Sequence, residues 1–262
     1  MRFSTLSSSS SGNCHYIETE ETALFVDAGL SGKAVQNHML AIDADIKNVK
    51  GILVTHEHVD HIRGVGILSR RFDLPIFANQ GTWEAMEKDL GKIATTNIKT
   101  FKTGERIQFG DVEATSFAIS HDAKEPVGYV FSKRDKKLSI VTDTGIYTDE
   151  IKEAVKGSDL LVMESNHDVN MLEVGPYPYY LKKRIKGMYG HLSNEDCGEF
   201  LCDVLEDRKQ IILLGHMSKE NNFPELAYQT VFNVIKERRH KLLGMIQIEL
   251  TYRDKPTKVY HI

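Results

Sequence analysis

The sequence predicts an α/β fold, and three observations carry that prediction. Short apolar runs recur as "ALFVDAG", "GILVTH", "VEATSFAISH", "LSIVTDTG", "DLLVMESN" and "QIILLGH", each closing on polar or glycine-containing residues, as buried strands do. Segments with helical apolar spacing, such as "IRGVGILSRRF" and "ELAYQTVFNVIKERR", lie between them. Finally, Asp27, His56, His121, Asp143, Glu164 and His216 each fall at or just past the end of one such run. Strand ends are where α/β proteins collect ligand sites, because rigid strands position side chains that the loops leave accessible.

Taken in order, "ALFVDAG" and "GILVTH" read as buried strands ending at Asp27 and His56. In the segment after them Ile62, Val65 and Leu68 repeat at helical spacing. "VEATSFAISH", "LSIVTDTG" and "DLLVMESN" supply strands that end on His121, Asp143 and Glu164. "NEDCGEFL" reads as a helix with Ser193 as its N-cap. After the strand that ends on His216, a last helix carries an apolar stripe of Leu226, Val231, Val234 and Ile235, expected to pack on a sheet.

The 262 residues are enough for one large core, so a single domain over 1–262 is expected. The serine run from Ser7 to Ser11 is too short to link two domains. The N-terminus lacks the apolar core of a secretory signal, and no stretch approaches the roughly 20 apolar residues of a membrane span, which points to the cytoplasm. Cys14, Cys197 and Cys202 match neither a zinc ribbon nor a disulfide framework and read as reduced, buried thiols. A net charge of −4 argues against coating nucleic acid with the whole surface and leaves room for a local basic channel.

The chemistry concentrates in "HEHVDH". His56 and His58 lie two apart on an extended loop, and Asp60 and His61 fall at the start of the following helix. Imidazole and carboxylate suit zinc and, with more oxygen, manganese. Four such groups in six residues overfill one open catalytic site and suggest two ions. His121 and His216 are placed to supply one imidazole to each ion, and Asp143 a carboxylate between them.

These residues resemble the metallo-β-lactamase superfamily, whose signature His-x-His-x-Asp-His stands here as His56, His58, Asp60 and His61. The resemblance implies that His56, His58 and His121 hold one ion, Asp60, His61 and His216 the other, with Asp143 bridging and Asp27 orienting the histidine loop from behind. It also implies a four-layer αββα sandwich. Two divalent ions would lower the pKa of a bridging water and stabilise an in-line displacement, so the reaction implied is hydrolysis.

Which ester is cut rests on other stretches. An aspartate at Asp143 in place of a cysteine disfavours the lactamase branch. Glu164 and His191 resemble the carboxylate and histidine that pair beside the metals in nuclease branches, where an oriented imidazole donates a proton to the leaving oxygen; capping of the helix at Ser193 is the structural rival. His167 and Asp168 in the same loop are open between substrate contact and plain loop. "GPYPYYLKKRIKGMYGH" interleaves Tyr177, Tyr179, Tyr180 and Tyr189 with Lys182, Lys183, Arg184 and Lys186, a composition that suits a nucleic-acid groove and equally a solvated helix face.

The ordered motifs "SSSSGNC", "THEHVDH", "SHDA", "TDTG", "ESNHDVNML", "GHLSN" and "LLGHMSKENN" resemble the YycJ (WalJ) family of bacterial metallo-β-lactamase-fold exonucleases. That resemblance implies a 5′-to-3′ exonuclease on DNA, double-stranded DNA included, acting with two Mn²⁺ or Zn²⁺ ions. The loop from Ser8 to Asn13, with Ser9 and Asn13 as candidates, would bind a terminal phosphate or be a plain turn. His167, Lys182 and Arg184 complete the candidate substrate contacts. RNase J relatives carry a large inserted domain, and only 72 residues separate Asp143 from His216, so no β-CASP-type insertion is expected. RNA is a further candidate substrate, and a small-molecule thioester or phosphodiester hydrolase of the same fold is the alternative function.

Overall fold

The computed structural model describes residues 1–262. Fourteen strands and nine α-helices alternate along the chain. The first half contains β1 (Arg2–Ser7), β2 (Cys14–Glu18), β3 (Ala23–Val26), α1 (Gly32–Ala41), β4 (Val49–Leu53), α2 (Val59–Ile62), α3 (Val65–Phe72), β5 (Ile76–Asn79), α4 (Gln80–Leu90), β6 (Ile98–Phe101), β7 (Arg106–Phe109) and β8 (Val112–Ala118). Then come β9 (Val127–Lys133), β10 (Lys136–Val141), α5 (Asp149–Val155), β11 (Leu160–Glu164), α6 (Val169–Val174), α7 (Tyr179–Ile185), α8 (Asn194–Val204), β12 (Gln210–Gly215), α9 (Pro224–Arg239), β13 (Ile246–Leu250) and β14 (Tyr260–His261). No helix is long and apolar enough to cross a membrane.

Two seven-stranded mixed sheets result, ordered β14-β1-β2-β3-β4-β5-β6 and β13-β12-β11-β10-β9-β8-β7. The parallel neighbours β3, β4, β5 and β6 are joined through helices, as parallel pairing requires. The same holds for β10, β11, β12 and β13. Strands β11 and β12 read as continuous apolar runs because they are buried on both faces. Edge strands β6, β7 and β13 carry exposed or half-exposed residues, so no apolar run announced them.

The chain divides into two compact units. Met1–Ser116, Ala123–Val127 and Thr251–Ile262 form the first, and Phe117–Asp122 with Gly128–Leu250 the second. Each has its own apolar core: Phe25, Ile52, Val54, Leu68 and Ile76 lie in the first, Val141, Met163, Phe200, Leu214 and Val231 in the second. Cys14, Cys197 and Cys202 are free and buried, as expected.

Local sequence explains where helices start. Ser31 accepts a hydrogen bond from Ala34 N, Asn79 from Thr82 N, Thr148 from Ile151 N and Ser193 from Asp196 N, so each satisfies a backbone donor that the helix leaves open. Two details correct the periodicity. The segment from Ile62 to Phe72 does not run as one helix, because α2 stops at Ile62 and Gly64 N turns aside to donate to Ala28 O at 2.7 Å. On α9 the buried stripe is Ala227, Val231 and Ile235; Leu226 and Val234 are half-buried beside it.

Candidate metal centre and active site

In the first unit, the chain leaves β3 at Asp27 in the left-handed region, φ 60°. Few non-glycine residues adopt that conformation, and aspartate tolerates it better than most. The turn aims the buried Asp27 carboxylate at the ligand loop. Its Oδ1 accepts from Thr55 N at 2.8 Å, and its Oδ2 accepts from Thr55 Oγ1 at 2.8 Å and from His61 Nδ1 at 2.7 Å. With Nδ1 of His61 committed to the carboxylate, Nε2 is the nitrogen left to bind a metal. His56 Nε2 and His58 Nδ1 lie 3.1 Å apart, and the rings of His56 and His61 are 4.1 Å apart, so three imidazoles converge at the turn into α2.

That turn is fastened from below. Asn13 N donates to Asp60 O and Gly29 N to Asn13 O, both at 2.8 Å. A Cβ on Gly29 would stand 1.6 Å from Asp60 O, so only glycine lets the two loops approach this closely. The Asn13 amide nitrogen lies 3.0 Å from His61 Nε2 and 3.4 Å from Asp60 Oδ2, and it donates to Ser9 O at 3.1 Å. Ser9 and Asn13, expected at the substrate, are buried within this arrangement.

In the second unit, Asp143 and His216 also leave their strands at positive φ, 55° and 52°. Such backbone costs free energy and clusters where function over-determines it. Asp143 Oδ1 lies 3.7 Å from His121 Nε2 and 3.3 Å from His216 Nε2, a carboxylate between two imidazoles. Their Nδ1 atoms are held from behind. His121 donates to Gly190 O at 3.2 Å, and His216 to Glu164 Oε1 at 2.8 Å.

Glu164, the last residue of β11, is fully buried. Its Oε1 accepts from both His191 Nδ1 and His216 Nδ1 at 2.8 Å, and its Oε2 from Thr144 N at 2.8 Å and Leu192 N at 3.4 Å. Burial works to raise its pKa, but the attraction of His191 and the hydrogen bonds from His191 and His216 hold it at about 2. Because its acceptor positions are occupied, Glu164 orients imidazoles, although Asp143, Glu164, His191 and His216 gather within 4.8 Å of one another. Ser193 does cap α8 as its rival reading expects, and His191 reaches Glu164 as well.

His167 is buried, with burial the main cause that lowers its pKa to about 4. Asp168 caps α6 by accepting from Met171 N at 2.8 Å, so its role is a helix start. Lys182 Nζ donates to Glu173 O, and Arg184 pairs with Asp122 beside His121. The residue types alone did not reveal the buried amides behind the site. Asn222 Nδ2 donates to Ser165 O, Asn166 O and Asn194 Oδ1, while Asn166 Nδ2 donates to His216 O at 2.8 Å. These amides tie together the loops after β11, before α8 and after β12, which accounts for "ESN", "LSN" and "ENN" in the sequence.

Both units thus present imidazoles and carboxylates, with the Nδ1 atoms of His61, His121 and His216 already hydrogen-bonded, a donor set that divalent ions take. The model of the β-lactamase superfamily domain matches residues 22–217. Exodeoxyribonuclease YycJ of Bacillus anthracis is 44% identical over 262 residues, covering 100% of this chain and 99% of that protein. The chain belongs to the metallo-β-lactamase superfamily and, within it, to the YycJ (WalJ) family. Exodeoxyribonuclease WalJ of Streptococcus pneumoniae is 44% identical over 238 residues, 90% of this chain and 88% of that one. Among solved structures, YhfI from Bacillus subtilis aligns with TM-score 0.70 at 14% identity over 100% of both chains. The short form of human tRNase Z aligns with TM-score 0.67 at 14% identity, again over 100% of both. The fold is the metallo-β-lactamase fold, and the chain is an enzyme of that hydrolase superfamily. The segment between Asp143 and His216 is filled by α5, β11, α6, α7, α8 and β12, with no inserted domain.

Proposed function

We propose that the chain is a metal-dependent exodeoxyribonuclease of the cytoplasm that hydrolyses DNA phosphodiesters from the 5′ end, with residues 1–262 acting as one hydrolase domain. His56, His58 and His121 would hold one ion, Asp60, His61 and His216 a second, and Asp143 both. The observation that carries the reading is the buried Glu164 shared by His191 and His216, in a chain 44% identical over its full length to a protein named an exodeoxyribonuclease. When bound, two ions of manganese or zinc supply an activated water and charge stabilisation for in-line displacement.

The chain's own residues do the rest. Asp27 and Glu164 fix which imidazole nitrogens face the ions. Glu164 also orients His191 to pass a proton to the leaving 3′ oxygen. Lys182 and Arg184 sit at the surface to meet the phosphate backbone. Ser9, Asn13 and His167, being buried, contribute by holding the loops that face the substrate.

The test is degradation of blunt duplex DNA labelled at either end by protein reloaded with manganese or zinc, with Asp60→Ala alongside. Short products from the 5′ end, absent in the variant, support the reading. Wild-type cleavage by a folded Asp60→Ala protein overturns the mechanism. Turnover of small esters alone, with no cutting of DNA or RNA, overturns the substrate and favours a small-molecule hydrolase.

A further inference from the structure

The segment between α6 and His191 exposes aromatic surface that the proposed chemistry does not use. Tyr179 is 82% exposed, Tyr180 73% and Tyr189 61%. Tyr179 and Tyr180 open α7, and Lys183 follows them by one helical turn, which puts it on their face of the helix. Four cations, Lys182, Lys183, Arg184 and Lys186, stand here against two carboxylates, Glu173 and Asp122. Lys186 pairs with Glu173 and Arg184 with Asp122, whereas Lys183 is exposed and makes no ion pair.

This surface is rigidly continuous with the ligands of its own unit. Ser120 Oγ donates to Met188 O at 2.8 Å, His121 Nδ1 to Gly190 O at 3.2 Å and His191 N to Ile185 O at 2.9 Å. Gly145, two residues after Asp143, packs so tightly beneath it that a Cβ there would stand 2.4 Å from Met188 O. Anything bound on the tyrosines is therefore held at a set position relative to His121, Asp143 and His191.

We propose that Tyr179, Tyr180, Tyr189 and Lys183 form a stacking ledge for unpaired bases of a DNA strand, so that the enzyme engages a single-stranded or frayed strand end. This rests on the nuclease reading above. Flat rings with polar tips next to an unpaired ammonium match a base and its phosphate. Within a duplex the base faces are already covered by their neighbours, which is why the ledge selects unpaired nucleotides.

The experiment compares wild type with Tyr179→Ala/Tyr180→Ala, Tyr179→Phe/Tyr180→Phe and Lys183→Gln. Substrates are single-stranded DNA, a duplex with a frayed end and bis(p-nitrophenyl) phosphate, which is too small to need the ledge. The alanine pair should raise KM on DNA about 10- to 100-fold. Its kcat and its turnover of the small ester should stay within about two-fold, and the phenylalanine pair, which keeps the rings, should match wild type. Lys183→Gln should lower the salt dependence of single-strand binding by about 0.7 in log–log slope.

An alanine pair that cuts DNA with wild-type KM overturns the ledge and leaves the nuclease reading standing. If wild type cuts no nucleic acid, that reading fails instead. The ledge is then decided by fluorescence anisotropy of metal-loaded full chain with a labelled phosphorothioate single strand, which resists hydrolysis. Weaker binding by the alanine pair supports it, and equal or absent binding overturns it and turns this face toward a protein partner.

Discussion

Nδ1 of His191 stands 2.8 Å from Oε1 of Glu164, a carboxylate with no exposure to solvent. The imidazole is thereby fixed in one orientation and one tautomer, which leaves Nε2 as the nitrogen for the proposed proton transfer.

Glu164→Gln should therefore damage proton transfer to a poor leaving group more than to a good one. Turnover of DNA should fall about 10²- to 10⁴-fold, with a smaller loss on bis(p-nitrophenyl) phosphate, whose leaving group needs no proton. His191→Ala should show the same split. An equal loss on both substrates would mean that Glu164 acts through His216 alone.

Asp27 takes three hydrogen bonds at once, two from Thr55 and one from His61. Asp27→Asn replaces one acceptor by a donor, so the His61 tautomer is no longer enforced. Metal affinity should drop about 10- to 100-fold, read by competition with a chromophoric chelator, while circular dichroism stays that of the wild type. Unchanged affinity would remove Asp27 from the orienting role.

Truncating Asn222 leaves Ser165 O without its donor and Asn194 Nδ2 and Phe223 N without their acceptor, whereas Asn166 O keeps Ser218 N and Asn194 Oδ1 keeps Ser165 Oγ. Each orphaned group costs on the order of 1–3 kcal/mol, so Asn222→Ala should lose several kcal/mol in urea denaturation at constant m-value. A loss under about 0.5 kcal/mol, the range of an ordinary surface substitution, would show that the amides are wetted or interchangeable.

His167 supplies a pH dependence with a definite sign. Its pKa in the folded state is about 4 because burial disfavours the charged form. The unfolded chain takes up a proton at the ordinary histidine value near 6.5. Stability contributed by this residue is therefore full above that pH and declines as pH falls from about 6.5 toward 4, by at most about 1.4 kcal/mol per pH unit. His167→Gln should lack that decline when urea denaturation is compared at pH 7, 6 and 5. Parallel curves for the two proteins across that window would place His167 in contact with water.

The class of fold, the family and the placing of candidate residues at strand ends were legible in the sequence. Period and punctuation are local properties: an apolar run that stops at a polar residue marks a buried strand and its end. Asp27, Glu164 and His216 accordingly lie at or one residue past strand ends, and Asp143 two residues past one. "HEHVDH" stood out equally, since four candidate ligands in six residues have few other uses.

What the sequence by itself determined was residue type, spacing and family membership; what only the tertiary structure decided was which atom of each residue is engaged. Asp27 meets His61 across 34 positions, Glu164 meets His191 across 27, and His121 meets Gly190 across 69. Such distances carry no periodic signal, so nothing local announced that Asn13, a candidate substrate contact, is buried beside Asp60 and His61, or that Lys182 and Arg184 also meet Glu173 O and Asp122. Hydrogen-bond partners are chosen by packing in three dimensions, after the local pattern has already placed each strand end.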